Sequence, residues 1–445
     1  MKSSIDYTIE SANFLNKHFS QESLLNLNLS LVDDFHQILP SNITELAGKK
    51  LMFSLFPFLI KKEDKKYIEQ ICLSMYKIVE KVIDSFWHKK EPIFEFYQEY
   101  DLFIPFIYKQ GNYYQTIVRY DFMISDNGIL FYEFNGCLPG GMFLYDRLNH
   151  ATLKPISRLL NREIATTFKT DNFSSLVLRL LNLHSLPPLI AFLYDDCKFN
   201  AELKFIQEEL DLKGIDIESS HINDLKFFDK RIFLNGKNIS LAYNNFFLNN
   251  LPLNCNRKEW IEFLTSEPYN NLITLSKQAN FYLMHNLAQM TIVEDKSLFA
   301  LLNNREYMQH FDGDEIEFIS KHIPYTEIFR DVEKKDQIKL GQSRDSYILK
   351  KYYSQVGAGV YKGQCYSESD WINLLNKNHD QAILQKQIEP LKYSFFDPRH
   401  NQGYRYTKTH LSMSMYIVDG QCSGLIAHLT PDGSKNLVQP VFEVI

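Results

Sequence analysis

The chain has 445 residues, with 48 basic and 54 acidic side chains and a formal net charge of −6. Hydrophobic residues make up 45% and charged residues 23%, with 17 glycines and 15 prolines. These fractions exclude collagen-like and broadly disordered chains, and the length predicts two or more compact units. The acidic balance argues against a nucleic-acid-binding protein, but a small phosphate-bearing ligand needs only a few local cations.

Cysteine usage and the apolar segments suggest a cellular compartment. The six cysteines stand singly, without a CxxC pair, which fits neither a zinc ribbon nor a disulfide framework. The first residues contain no apolar signal core, and the longest apolar run, residues 55–60, is too short to span a bilayer. We therefore expect a reducing, cytoplasmic environment and no membrane partner.

The first 95 residues are expected to form a helical N-terminal segment. Apolar residues recur at i, i+3 and i+4 spacing over residues 63–90, a pattern typical of an amphipathic helix. No residue in this segment suggests chemistry, so we expect it to serve packing.

Residues 103–135 alternate in the way that strands do, with a turn near residues 125–128. Arg119 and Asp121 share one face of the first strand, as Glu133 and Asn135 do on the second. A two- or four-residue loop would put the two polar pairs on opposite sides. A three-residue loop ending at Gly128 would pair Asp121 with Glu133, and we expect that register because this loop type takes glycine last.

Two carboxylates directly opposite each other repel, and a divalent cation would remove the cost. Oxygen ligands from Asp121, Glu133 and Asn135 suit Mg²⁺ bound together with substrate phosphates. The alternative is a solvated hairpin face on which Arg119 offsets the acids. These residues alone do not choose between the two.

An α/β unit follows, expected over residues 185–290. An apolar strand at residues 189–194 leads into a helix at 201–212 and a second strand at 215–217. Strand, helix and strand at this spacing predict a parallel pair with a crossover.

Further motifs lie downstream and are unspecific singly. Lys296 lies near the start of an apolar helix, where a lysine is usually solvated. Lys350 ends a short strand and is followed by Gly357 and Gly359, a combination that can hold phosphates. The P-loop pattern is absent, so a surface loop after a strand is favoured there. Residues 382–389 form a predicted strand running into Pro390, and residues 413–429 a second predicted hairpin.

Together these motifs resemble the ATP-grasp fold in its circularly permuted form, as in the synthetase domain of glutathionylspermidine synthase and related carboxylate–amine ligases. The resemblance covers roughly residues 100–445, and the Arg119-x-Asp121 and Glu133-x-Asn135 pair is its most specific part. It implies an α/β (α+β) fold with a helical N-terminal segment at 1–95, a first part of the ATP-grasp core at 96–165, a pre-ATP-grasp domain at 185–290 and a nucleotide-binding part at 291–445.

The resemblance also implies roles for individual residues. Arg119 would steady the transferring phosphoryl group, and Asp121, Glu133 and Asn135 would be magnesium ligands. The remaining positions would contact ATP: Lys296, Lys350, Gly357, Gly359, Gln385, Lys386, Gln387 and Ile388. The implied reaction is ATP- and Mg²⁺-dependent amide formation through an acylphosphate, between a small-molecule or peptide carboxylate and an amine. The competing hypotheses are a non-catalytic nucleotide- or partner-binding protein and a phosphotransferase that releases a phosphorylated product.

Three departures from the family pattern motivate the non-catalytic alternative or leave the acceptor open. Lys351 follows Lys350 where proline is usual, and His428 stands where a substrate- or phosphate-binding arginine is often found. The loop at residues 136–141 lacks a polar residue common there. Cys137 within that loop is expected to be a small buried residue and not a reactant.

Overall fold

The computed structural model describes residues 1–18, 20, 22–24, 26, 45–46, 49–50, 52–54, 56–137, 139–194, 200–245, 254–276, 281–329, 340–354, 357–379, 381–397, 405–429 and 437–445. Within these ranges, helices and sheets alternate in an α+β arrangement. No helix in the described ranges is both long and apolar enough to cross a membrane.

The helices pack around the sheets through apolar stripes. The Lys62–Trp87 helix buries Ile68, Cys72, Met75 and the residues that follow at helical spacing, and it confirms the helix predicted at residues 63–90. The α-helices span Lys2–His18, Lys62–Trp87, Ile93–Phe96, Met142–Leu160, Asp171–Leu183, Asn200–Asp211, Arg257–Leu264, Tyr269–Ser276, Leu298–Asn303, Gly313–His322 and Glu368–Lys377.

The largest sheet is mostly antiparallel and carries both predicted hairpins. The second of them consists of the Arg405–Val418 and Gln421–Leu429 strands, and the Lys392–Asp397 strand also pairs with the former. The strands along the sheet follow the order Met52–Phe53, Leu437–Gln439, Gln421–Leu429, Arg405–Val418, Ile117–Ser125 and Gly128–Asn135. We call this the large sheet.

A four-stranded sheet carries Lys350. Its strands are Thr326–Ile328, Ala382–Lys386, Tyr347–Lys351 and Val360–Lys362, each antiparallel to its neighbour. We call it the small sheet. Outside this sheet, Tyr353–Ser354, which follows the Tyr347–Lys351 strand in the chain, forms a short antiparallel pair with Asn254–Cys255.

A parallel sheet forms the α/β unit. Its strands are Tyr282–Leu283, Leu241–Asn245, Leu189–Tyr194 and Asp216–His221. The predicted parallel pair with a helical crossover is confirmed, because the Asn200–Asp211 helix connects the last two of these strands. A three-stranded meander, Lys226–Phe228, Arg231–Leu234 and Lys237–Ile239, lies in the chain between the Asp216–His221 and Leu241–Asn245 strands of that sheet.

The first 95 residues are not helical throughout, which corrects the expectation for the N-terminal segment. The Phe58–Lys61 strand pairs in parallel with Val441–Val444, which also pairs with Ile164–Thr166. Met52–Phe53 adds a strand to the large sheet, and Glu45–Leu46 pairs with Lys49–Lys50. Local sequence does not predict these strands, because Met52–Phe53 and Phe58–Lys61 pair with residues 437–444 at the other end of the chain.

A buried ion pair links the Arg257–Leu264 helix to the turn that carries Lys296. The Arg257 side chain is 8% exposed and donates to Asp295 at 2.7 Å, while Asp295 is fully buried. Asp295 also accepts hydrogen bonds from the Tyr100 hydroxyl and the Ser297 amide. Removing one partner of such a pair leaves an uncompensated buried charge, which is far costlier than losing a surface pair.

We predict that Arg257→Met lowers the free energy of unfolding by about 3–5 kcal/mol in urea denaturation. Lys258→Met on the same helix is the matched control, since that lysine is 82% exposed and its loss should change stability by about 0.5 kcal/mol or less. Equal effects of the two variants would contradict a stabilising role for the buried pair.

Candidate functional site

The hairpin Ile117–Ser125 and Gly128–Asn135 has the predicted register but a different turn. Asp121 lies directly opposite Glu133, and Arg119 lies opposite Asn135. The turn has two residues, because Ser125 pairs with Gly128, and the predicted three-residue loop is therefore wrong. The register shifts by one residue between Asp121 and Phe122, which leaves Tyr132 as a bulge. The bulge restores the pairing of the carboxylates that a two-residue turn alone would have lost.

Asp121 is surrounded by donors. Arg119 donates to both of its oxygens, from Nε at 2.8 Å and Nη2 at 2.9 Å. The Asn135 amide donates at 3.2 Å, and Ser414 lies opposite Asp121 on the neighbouring strand. Burial by itself would raise the pKa of Asp121, but Arg119 outweighs it and holds that pKa below its usual range. These three N–H donors occupy most of the lone-pair sites that a carboxylate offers.

Glu133 is paired with a lysine from a distant part of the chain. Lys296 Nζ lies 3.0 Å from Glu133 Oε1 and donates to the Ser354 carbonyl at 2.8 Å. Burial would lower the pKa of Lys296, but Glu133 and Glu294 outweigh it and raise that pKa. Lys296 is therefore a buried ammonium and not the solvated lysine that helix openings usually carry.

Lys350 reaches the same hairpin from the small sheet. Its ammonium donates to the Tyr132 carbonyl and to Gln385 Oε1, both at 2.8 Å. Burial lowers the pKa of Lys350 to about 8, and the attraction of Glu133, which is paired with Lys296, does not offset it. The bulged residue Tyr132 thus both shifts the register of the hairpin and supplies a carbonyl that accepts a hydrogen bond from Lys350.

The glycine loop after Lys350 is tied back to its strand. The Lys351 amide donates to the Gly359 carbonyl at 3.0 Å. Gly357 and Gly359 have φ angles of 76° and 74°, which side-chain-bearing residues rarely adopt. No hydrogen bond joins these two glycines to the hairpin within the described residues, so their contact with phosphate stays a prediction.

The predicted strand at residues 382–389 is observed as Ala382–Lys386, a central strand of the small sheet whose backbone amides are largely hydrogen-bonded. The Lys386 amide donates to the Tyr325 carbonyl at 2.8 Å, and the Gln387 amide donates to the Ser346 carbonyl at 2.7 Å. Gln385 is buried and spends its side chain on Lys350 and Thr326. The contact of residues 385–388 with ATP stays a prediction, and within the described part of the chain the Ile388 amide has no backbone partner.

Two buried carboxylates belong to the site and were not predicted. Glu294 accepts from the Gly136 and Cys137 amides, and Glu202 accepts from the Gly141 and Phe143 amides. Burial raises the pKa of both. They fix the two ends of the loop that follows the hairpin, in which Leu138 lies outside the described residues. No sequence signal could have found Glu202, which lies about 60 residues further along the chain.

Cys137 is fully buried, as predicted, and burial raises the pKa of its thiol far above the usual value. The Sγ atom donates to the Met290 carbonyl. A thiol in this environment is not a nucleophile.

The side-chain oxygens of Asp121, Glu133 and Asn135 are ligands of the kind that Mg²⁺ prefers, but they are not equally free to bind it. Glu133 has one oxygen paired with Lys296, and the Asn135 amide nitrogen is committed to Asp121 and the Arg119 carbonyl. The second Glu133 oxygen and the Asn135 oxygen therefore fit a cation, whereas Asp121 would first have to release one of its donors. The part of the chain that the structure describes contains no cluster of three acidic, histidine or cysteine side chains arranged around a metal position.

Comparison with solved structures identifies the class of fold. A glutathione synthetase-like effector from Globodera pallida, in its apo form, matches with a TM-score of 0.61 over 96% of this chain and 98% of that chain, at 12% identity. D-alanyl-alanine synthetase A from Vibrio cholerae matches with a TM-score of 0.28 over 57% of this chain and 87% of that chain, at 9% identity, and this slight likeness carries no argument.

At the level of sequence, no protein-family model and no curated protein matches the chain. The chain thus has an ATP-grasp-like fold, and the nearly complete coverage in both directions extends that likeness over the whole architecture.

The paired state of the carboxylates predicts how metal binds. We expect Arg119→Gln to tighten Mn²⁺ binding without nucleotide by about tenfold or more, equivalent to about 1.4 kcal/mol, because the variant frees Asp121 beside Glu133. Electron paramagnetic resonance of free Mn²⁺ measures this directly. Arg179→Gln is the matched control, since it removes a similar two-bond pair with Asp419 far along the chain. Equal Mn²⁺ affinity in wild type and Arg119→Gln would refute the blocking role of Arg119.

The lowered pKa of Lys350 predicts a pH dependence of stability. The folded state releases this proton near pH 8, whereas the unfolded chain holds it to about 10.5, so the unfolded state binds more protons and stability rises with pH. Relative to Lys350→Met, wild type should gain about 2 kcal/mol between about pH 7 and about pH 9.5 in urea denaturation. Lys362→Met, at an exposed position of the same sheet, controls for the loss of a lysine. A difference that does not vary with pH would contradict the assignment.

Proposed function

We propose that the protein is an ATP- and Mg²⁺-dependent carboxylate–amine ligase that forms an amide bond and releases ADP and phosphate. The observation that carries the proposal is a cluster of three cations, the partly buried Arg119 and the buried Lys296 and Lys350, at one hairpin that also holds Asp121 and Glu133. The cations come from three separate parts of the chain. An array that mixes cations with oxygen donors is what a metal-bound triphosphate requires.

In the proposed mechanism, residues on the small-sheet side bind the phosphates of ATP and residues of the hairpin align the reacting groups. Lys296 and Lys350 bind the phosphates of ATP from the small-sheet side, and Arg119 aligns the transferring phosphoryl group with the substrate carboxylate. Bound Mg²⁺ would be held by Glu133 and Asn135, with Asp121 after it leaves Arg119, and would supply charge neutralisation to the phosphates. Attack by the substrate carboxylate on the γ-phosphate gives an acylphosphate and ADP. The amine then takes the acyl group and phosphate leaves.

The proposal includes the permuted chain order and the remaining ligand contacts. The metal hairpin precedes both lysines in sequence, as in the permuted ATP-grasp arrangement, with the parallel-sheet unit as the pre-ATP-grasp domain. Gly357 and Gly359 would cover the phosphates of ATP. Residues 385–388 would contact its adenine base, chiefly through the backbone of Ile388. The acid and the amine are proposed only as a small-molecule or peptide carboxylate and an amine.

A second candidate, a nucleotide- or partner-binding protein without catalysis, is favoured by one observation. Donors from Arg119 and Asn135 take three of the lone-pair sites of Asp121, and Lys296 is paired with Glu133. If the Arg119–Asp121 and Lys296–Glu133 pairs persist when nucleotide binds, the carboxylates do not bind a metal ion and phosphoryl transfer does not occur.

The test is titration calorimetry with Mg²⁺ and a non-hydrolysable ATP analogue, followed by ADP release over a panel of amino acids and short peptides. We expect wild type to bind and turn over at least one acid–amine pair, and Glu133→Gln and Asp121→Asn each to lower turnover by about a thousandfold or more, as for loss of a charge-stabilising group.

Asp126→Asn is the matched control, because it makes the same chemical change at the exposed turn of the same hairpin and should keep full turnover. Thermal melts of the two site variants separate loss of chemistry from loss of fold. Full ADP-forming activity in both variants would sink the metal assignment. Tight nucleotide binding with no turnover on any pair would favour the second candidate, and ADP formation without an amide would indicate a phosphotransferase.

A further inference from the structure

A groove apart from the candidate functional site lies between the three-stranded meander and the Tyr269–Ser276 helix. The helix contributes Asn271, Thr274 and Leu275, which share one face at i, i+3 and i+4 spacing. The meander contributes the turn between its first two strands. The inner face of the meander and the helix belong to one buried core cluster, so both walls of the groove rest on a common core.

The size and the apolar walls of the groove suit one aromatic ring. Its volume is about 190 Å³, and an apolar cavity of about 150 Å³ is large enough to hold benzene. Phe228, which is 74% exposed, lines the groove from the meander, and Leu275 lines it from the helix. A flat ring placed against these two side chains would remove apolar surface from water.

Two cations border the same groove. Lys230 and Arg231 are exposed, and within the described residues neither forms an ion pair or a side-chain hydrogen bond. Asp229 is the one acidic residue among the described lining residues, so the lining has a net positive charge in a chain whose formal charge is −6. The Glu267 carboxylate accepts a hydrogen bond from the Asn271 amide and does not line the groove. An anion with a single negative charge would balance this lining.

The turn of the meander holds an aromatic ring and a guanidinium side by side. Phe228 and Arg231 are direct cross-strand partners, so their Cβ atoms lie about 5 Å apart. The two loop residues between them, Asp229 and Lys230, have left-handed φ angles of 46° and 58°, as this tight type of hairpin turn requires. A ligand whose ring covers Phe228 therefore brings a substituent of that ring within reach of Arg231.

We propose that this groove is a second ligand site and binds a small aromatic carboxylate, a single ring with one negative charge. The ring would lie against Phe228 and Leu275. The carboxylate would accept hydrogen bonds from the Arg231 guanidinium, with Lys230 as a second cation. The same two charges disfavour an aromatic cation, and an aliphatic carboxylate lacks the ring contact. None of these residues belongs to the proposed ligase centre, so the inference does not depend on that function.

The first test determines the class of ligand by saturation-transfer NMR titration with three probes. 3-Phenylpropionate carries both the ring and the negative charge, 2-phenylethylammonium carries the ring with a positive charge, and propionate has no ring. We expect 3-phenylpropionate to bind at least about tenfold more tightly than either of the other two. Equal affinity for the ammonium probe or for propionate overturns the inference.

The second test locates the site with variants of the groove. Arg231→Gln should weaken the binding of 3-phenylpropionate about fivefold, and Phe228→Ser should weaken it about tenfold. Lys237→Gln is the matched control, because it removes an exposed lysine from the opposite edge strand of the same meander and should leave the affinity unchanged. Both groove positions are exposed, and thermal melts check that the variants fold.

Lys350→Met separates the groove from the proposed ligase centre, since it should bind 3-phenylpropionate as tightly as wild type does. Loss of probe binding in Lys350→Met, or full affinity in either folded groove variant, overturns the inference. The probes need neither nucleotide nor metal, so the outcome is independent of whether the protein forms ADP.

Discussion

The interaction on which the site depends is the repulsion between Asp121 and Glu133, held directly opposite each other on a partly buried sheet face. A sheet tolerates this arrangement only when positive charge is supplied. In the structure Arg119 supplies it to Asp121 and Lys296 supplies it to Glu133. The same two cations are the groups that the proposed triphosphate would attract, so its binding would exchange internal ion pairs for external ones. Metal and nucleotide should then bind best together, because the metal takes the carboxylates of the two ion pairs and the phosphates take their cations.

Much of the surrounding structure serves to hold these charges in place. Glu294 fixes the start of the loop after the hairpin, and Glu202 reaches across from the parallel-sheet unit to fix its end. The Arg257–Asp295 pair anchors the turn that carries Lys296, in a cluster with Tyr100 and other aromatic rings. Burial lowers the pKa of Lys350 to about 8, and within the described ranges its ammonium forms hydrogen bonds but no ion pair. It is the cation with most to gain from an anionic ligand.

The sequence alone predicted the strands, the parallel crossover unit and the pairing of Asp121 with Glu133, because period-2 alternation and strand–helix–strand spacing are local signals. It predicted the wrong turn, since nothing local distinguishes a three-residue loop from a two-residue turn followed by a bulge at Tyr132. The N-terminal strands were missed because their partners lie at the other end of the chain. Glu202 and Ser414 were missed for the same reason, as only tertiary structure brings them to the hairpin.

The most direct measurement is a crystal structure with Mg²⁺ and a non-hydrolysable ATP analogue. The account predicts a metal at about 2.1 Å from oxygens of Glu133 and Asn135, with phosphate oxygens on Lys296 and Lys350 and the Arg119–Asp121 pair opened. A nucleotide bound elsewhere, or bound here with both internal ion pairs intact and no metal on the hairpin, would contradict it.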